Sequence, residues 1–492
     1  MGSAYYGGRQ PIWAWIHPIR MRALATIRTA RIKGLASYAR VCAILLFSLL
    51  SIARARAAAT LLLEEPYSYD GAFAGTGHSA VYLSRVCSVS PVVLRLCDAG
   101  ESGVVLSRYD GIAGYDWIAI PLTSYLYAVD KPEDIPLVAD AKLVAFLRDR
   151  YRREHLSALA PDRPDGGIPE ENWYELVGAS YDRTIYGFEI ETSPEQDALL
   201  IGKFNSQPNQ ERYNFMKRNC ADFVREIIDF YYPHALHRSV VGDLGVTTPK
   251  QIAKMMAKYS RHHPELHSSA FLVAQVPGPV RRSKPVHGVV ESVVAAKKYM
   301  LPVVVLHPYI GGGLLVGYLG HHFDPSRNAL VADSSWQLDA PLTHQERLTY
   351  ENRLNEMTQS TAPETRQKRA KKSKAKSNDL KTWERLLANA EPGLDASGQP
   401  ILQVHEGDTW MNVGLTRANI LGSSESSDLA ANFLEARLRQ ELRPAGARKT
   451  SRANIDADLA LLRQALSQTR NQVAFTTSPT KASRESAKTS IQ

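Results

Sequence analysis

The sequence predicts an α+β fold, an antiparallel sheet packed with helices. Three observations carry it. Short β-branched, alternating runs crowd residues 79–122, helices with clear start signals follow, and no internal repeat occurs. The hydrophobic fraction of 44% and charged fraction of 22% are those of a globular chain, and 492 residues suffice for two or three domains.

The strands are read at Ser79 to Val86, Val92 to Leu96, Gly103 to Ser107 and Trp117 to Leu122. Pro136 opens a helix over roughly Leu137 to His155, with apolar residues at helical spacing. A strand covers Thr184 to Ile190. Ser193-Pro194-Glu195-Gln196 then starts a helix in capping-box style. A helix beginning at Cys220 stops before Pro233, and Thr248-Pro249 begins another. This domain is expected to span 58–266, with residues 267–299 as a linker.

The N-terminus reads as an export signal or an uncleaved anchor over 1–57. Arg20, Arg22, Arg28, Arg31, Lys33 and Arg40 precede an apolar stretch of 12 residues, Val41 to Ile52. Ala55-Arg56-Ala57 supplies a small-x-small cleavage pattern. Residues 300–320 form a charge-free run of 21, a candidate transmembrane segment or a buried hairpin. The C-terminal region 321–469 is expected to be mostly helical, with a hairpin over 401–415, and 470–492 to be a polar tail.

The net charge of +9 does not make this a nucleic-acid binder. Residues 366–376 alone hold seven basic side chains and no acidic one, the mark of a solvated linker or a membrane-surface tether. No zinc-finger spacing, Walker loop or RNA-binding signature occurs. No cofactor-binding or metal site is read, and His262, His263 and His267 lack the carboxylate context of a metal centre.

With Cys42 in the export segment, Cys87, Cys97 and Cys220 remain. Cys87 and Cys97 end successive strand-like runs across a turn, so they form either a disulfide or two reduced core thiols. Cys220 is left over. It stands at a helix start, where unpaired N–H groups and the dipole favour a thiolate. His78 opens a strand after Gly77, about 140 residues earlier, and could take the thiol proton.

Gly77-His78-Ser79-Ala80-Val81-Tyr82-Leu83 and Asn219-Cys220-Ala221-Asp222-Phe223-Val224 resemble the His and Cys motifs of the NlpC-type papain-like thiol hydrolase superfamily. The histidine-first order is similar to its circularly permuted branch, which includes lecithin-retinol acyltransferase-like proteins and bacterial envelope relatives. The resemblance covers roughly residues 60–260. It implies a permuted papain-like fold with Cys220 as nucleophile and His78 as base. A third, orienting residue is implied on the strand after His78; Glu101 is the first choice and Asp98 the second. Asp222 is read as a helix N-terminal acid.

The function expected is that of an exported cysteine hydrolase or acyltransferase of the periplasm or cell envelope, acting on amide or ester bonds of cell-wall peptides or lipids, and associated with a membrane. The alternative is a non-catalytic envelope scaffold built on the same domain.

Overall fold

The protein is described here from a computed structural model. It describes residues 58–67, 74–170, 172–210, 213–238, 243, 245–276, 278, 283–295, 323–327, 330–332, 389–406 and 409–416, with single residues at 309, 312, 313, 318, 434, 438, 458 and 459. The chain divides into two compact units, Met1–Arg56 and Ala57–Gln492. The expected export segment lies outside the described residues, as do the basic run, most of 300–320 and the 470–492 tail.

The architecture is α+β. Strands β1 (Ala58–Glu64), β2 (His78–Leu83), β5 (Val104–Ser107), β6 (Ile118–Pro121), β7 (Ile185–Glu191), β8 (Ser269–Val273) and β9 (Leu330–Ala332) form one sheet. Its order is β6-β5-β2-β1-β7-β8-β9, antiparallel throughout except for the β8–β9 pair. Strands β3 (Val86–Ser90) and β4 (Val93–Leu96) make a separate hairpin that leaves the sheet after β2 and returns at β5.

Helices cover both faces of the sheet. On one lie α1 (Leu122–Tyr127), α2 (Ala141–His155) and α3 (Ala179–Asp182), packed on Leu62, Ala80, Val105 and Ile120. On the other lie α4 (Pro194–Ser206), α5 (Cys220–Tyr231) and α6 (Pro249–His262), packed on Leu61, Leu63, Val81 and Leu106. Alternate residues of β1 and β2 thus enter different cores, as the two-residue period of a strand requires.

The helix starts have local causes. Asp140 caps α2 through the Leu143 N–H, Ser193 and Gln196 form the expected capping box on α4, and Thr248 caps α6 ahead of Pro249. The α2 helix therefore begins at Ala141, behind its cap, and not at Leu137.

Two expectations need correction. Segment 267–299 is not a linker: β8 extends the sheet, Ser283 is buried and donates to Glu65 at 2.6 Å, and residues Val289–Ala295 form α7. In the described part of the C-terminal region, β10 (Glu391–Leu394), β11 (Pro400–Glu406) and β12 (Thr409–Gly414) form a three-stranded antiparallel sheet, so residues 391–414 are not helical, whereas residues 389, 434, 438, 458 and 459 are. The β11–β12 pair is the expected hairpin. This sheet docks beside α2, where the Leu137 N–H donates to the Leu415 carbonyl at 2.9 Å. Among the described residues, no helix is long and apolar enough to cross a membrane.

Cys87 and Cys97 are bonded to one another, at a sequence separation of 10, and tie the two ends of the β3–β4 hairpin. A loop of that size is worth about 2–3 kcal/mol in unfolded-state entropy. The Cys87→Ser/Cys97→Ser chain should lose that much in urea unfolding, and an unchanged midpoint would mean the hairpin contributes no global constraint.

Candidate active site

The site lies where β2 and β5 part. Their ladder begins at Val81–Leu106, so His78 and Ser79 extend beyond the last pair. Gly77 precedes them with φ +69°, and a Cβ there would fall 2.2 Å from the Glu64 carbonyl oxygen. Only glycine allows this close approach, which brings β2 alongside β1 with His78 opposite Glu64.

His78 is half-buried, and its Nε2 shares a 2.7 Å hydrogen bond with Ser107 Oγ across the β2–β5 gap. Its ring stacks on Tyr109, with centroids 4.7 Å apart and an interplanar angle of 12°. No hydrogen bond engages Nδ1 among the described residues, so Nδ1 is the nitrogen left for chemistry. As a base it must be unprotonated, which puts the proton on Nε2, donated to Ser107. Burial and the Arg183 guanidinium push His78 down to about 3, so its imidazole is neutral across the physiological range.

Behind His78 stands a buried polar network. The Tyr109 hydroxyl interacts with those of Ser107 and Tyr125 and donates to the Glu175 carbonyl at 2.9 Å. Tyr125 donates to Glu64, whose other oxygen accepts from Arg183 at 3.0 Å. Burial raises the Glu64 carboxyl, against the opposing pull of Arg183 and Tyr125. Tyr125 is raised well above its usual range, first by burial and then by Glu64.

Cys220 is the first residue of α5 and is 8% exposed. Asn219 caps the helix by accepting from the Asp222 N–H at 2.9 Å, and its amide donates to the Phe215 and Thr247 carbonyls. Asp222 completes the capping box and accepts from Thr247 and Arg238, as a structural acid. The apolar residues Phe223, Val224, Ile227 and Ile228 bury the helix in the second core.

The thiol lies against the Ser79 and Ala221 N–H groups, and the Ser79 hydroxyl is buried without a hydrogen-bond partner. Strand N–H groups lie in the sheet plane. On its other side β2 pairs with β1, so the Ser79 N–H that meets sulfur projects into the β2–β5 gap. The thiol therefore lies against β2 at Ser79, the residue that follows His78. No His78–Cys220 hydrogen bond joins the two among the described residues. Ser79, next to His78 on β2, is the residue that the thiol touches.

Burial outweighs the helix terminus and the Ser79 and Ala221 donors, and raises the thiol pKa. The sequence expectation of a lowered thiol is therefore corrected: at neutral pH the pair is thiol and neutral imidazole. Iodoacetamide labelling of Cys220 at pH 7 should be slower than that of a free thiol of pKa about 8.5, and should still be climbing above pH 9. A plateau by pH 9 would show that the helix end dominates.

Glu101 is not the orienting residue. It is exposed in the turn before β5, forms a two-pronged pair with Arg95 at 2.6 Å, and accepts from the Asp98 N–H. Those bonds hold its carboxyl down at about 2. Asp98 is also exposed, in the same turn, and neither carboxylate approaches His78. Ser107 takes that position instead. His263 pairs with Glu265 and His267 with Glu191, so these histidines form no common centre.

No protein-family model matches the chain, and no curated protein or solved structure is found similar to it.

Proposed function

We propose that the protein is a cysteine hydrolase or acyltransferase that cleaves amide or ester bonds of envelope components through Cys220 and His78. The observation that carries this reading is that Cys220, at the capped start of α5, lies against Ser79, the residue after His78. A helix-terminal thiol meets the Ser79 N–H beside His78, whose Nε2 is held by Ser107 while Nδ1 stays open.

The chemistry follows from the protonation states. Cys220 Sγ attacks the acyl carbon as its proton passes to Nδ1 of His78, so transfer accompanies attack and no ion pair is formed beforehand. Main-chain N–H groups at the start of α5 face the developing oxyanion. His78 then returns the proton to the leaving amine or alcohol. Water attacking the thioester completes hydrolysis; a second hydroxyl or amine completes acyl transfer. A permuted papain-like arrangement is part of this proposal, supported by the histidine-first order and the capped Cys220 helix.

The Cys87–Cys97 bond supports an oxidising compartment, in keeping with an exported, envelope-located protein. A non-catalytic envelope platform is the second reading, favoured by the burial of the thiol. Incubation of the chain with cell-wall peptides and with acyl lipids, followed by mass spectrometry, separates the two. Products that vanish with Cys220→Ala establish the enzyme and its substrate class. Unchanged substrates in both panels, with no acyl group retained on Cys220, put the platform first.

A further inference from the structure

Ser79 is fully buried, at 0% exposure, yet its hydroxyl oxygen has no hydrogen-bond partner. A serine hydroxyl rotates to meet any partner in reach, and one left unmade in a core weighs against stability. Packing alone asks for no hydroxyl here. The positions that share its face are Val81 and Leu83 on β2 and, directly opposite on β1, Leu63.

The start of α5 lies over this face. Phe223 and Val224 share one core with Leu63, Val81 and Leu83. Side chains two residues apart on a strand project to the same side, so the Ser79 hydroxyl is on the side that α5 covers. It is also a side-chain donor among the groups that act on the Cys220 thiol, beside the main-chain N–H groups of Ser79 and Ala221.

The two observations agree if the bond depends on the charge of the sulfur. A thiol sulfur is a weak acceptor, and in the resting protein the hydroxyl makes no bond to it. A thiolate carries a full negative charge, and hydrogen bonds to an ionised acceptor are about twice as strong as neutral ones. A bond absent at rest and made as charge develops lowers a barrier without tightening the resting state.

We propose that Ser79 is a catalytic residue whose hydroxyl donates to Cys220 Sγ whenever the sulfur carries negative charge. That happens as the thiol gives up its proton, and again as the sulfur takes the electron pair of the breaking C–S bond when the thioester is cleaved. Ser79 keeps its own proton throughout. The catalytic part of this role rests on the thiol function above; the contact with sulfur does not.

The test is Ser79→Ala in the full chain. Iodoacetamide labelling is followed against pH by mass spectrometry of the Cys220 peptide, and stability by urea unfolding. Glu64 and Tyr213 are titratable groups whose charges interact with that of Cys220, and the substitution leaves both in place. The labelling curve should move upward by about one pH unit, the tenfold change expected when a bond to a charged group is lost. The urea midpoint should stay or rise, because an orphan hydroxyl has been removed. An unmoved curve overturns the proposal. So does a lowered midpoint or a chain that fails to fold, since either would show the hydroxyl bonded within the core. Turnover of p-nitrophenyl acetate after acylation should be about tenfold slower in Ser79→Ala, and an unchanged turnover overturns the catalytic part. A moved curve in a chain that forms no acyl-enzyme would keep the contact with sulfur while removing the thiol reading.

Discussion

p-Nitrophenyl acetate is expected to give a burst of nitrophenolate with the intact chain, no burst with Cys220→Ala, and a burst slowed about 10²–10⁴-fold with His78→Ala. The ester transfers its acetyl group to Sγ, so the burst counts acylated Cys220 directly. The loss at His78 is large because the thiol is neutral at pH 7 and must shed its proton as it attacks. His78, pushed down to about 3, is available as a base throughout. The acylation rate should therefore stay level through pH 7, with no step near 6.5, and climb only at higher pH as the raised thiol ionises. A burst that survives Cys220→Ala, or that is equal in the His78→Ala chain, would refute the pair. Ser107→Ala should reduce the rate about tenfold by freeing the ring to rotate, the low end of the range for a lost positioning contact.

Arg183→Met should cost about 3–5 kcal/mol of stability at pH 7.5, the range for breaking a buried ion pair by removing one partner. Glu64 is 1% exposed and would be left charged with only Tyr125 to serve it. The deficit should shrink at pH 5. A carboxyl raised in the folded state stabilises the fold below its unfolded pKa, and that stability is lost as pH rises through the folded value. Without Arg183 the Glu64 carboxyl rises further, so the native state holds its proton at pH 5. His78 acts in the same sense: Arg183 helps depress it, so its removal lessens the acid destabilisation due to a neutral buried imidazole. Urea unfolding at the two pH values checks this. A deficit that is constant, or larger at pH 5, would show that Glu64 is not the group left unpaired.

Elements whose pattern is local were legible from the chain alone. The caps at Ser193 and Thr248, the alternation of β2 and the Cys220 helix depend on neighbours within a turn. Strand β1 was not legible. It is buried on both faces, so Ala58–Glu64 reads as a plain apolar run, and its terminal Glu64 and Glu65 look like surface residues until Arg183, Tyr186 and Ser283 are placed around them. Strand β8 was missed for a similar reason, as a five-residue segment whose pairing partner lies far upstream.

The site divides along the same line. Cys220 and His78 carry motifs that survive inspection of the sequence. Ser107 does not, because its relation to His78 is one of register across β2 and β5. The β3–β4 excursion separates those strands, and Glu101, nearer in sequence and charged, drew attention instead. Continuing the β2–β5 register outward from Val81–Leu106 sets Ser107 opposite Ala80 and Tyr109 opposite His78, so Ser107 reaches the ring only on the diagonal.

The order of strands in the sheet also sets a timetable for synthesis. Strands β1, β2, β5 and β6 are all made by Pro121, and they can pair at once as a contiguous half-sheet. The far side of β1 must then wait for β7 at Ile185, and β7 for β8 at Ser269. A growing chain therefore carries an open, strongly apolar edge through the production of α1, α2 and α3, the condition in which strand edges recruit other chains. Nascent chains halted between residues 121 and 185 should be the most prone to self-association, and a holding chaperone would find its target at Leu61, Leu62 and Leu63.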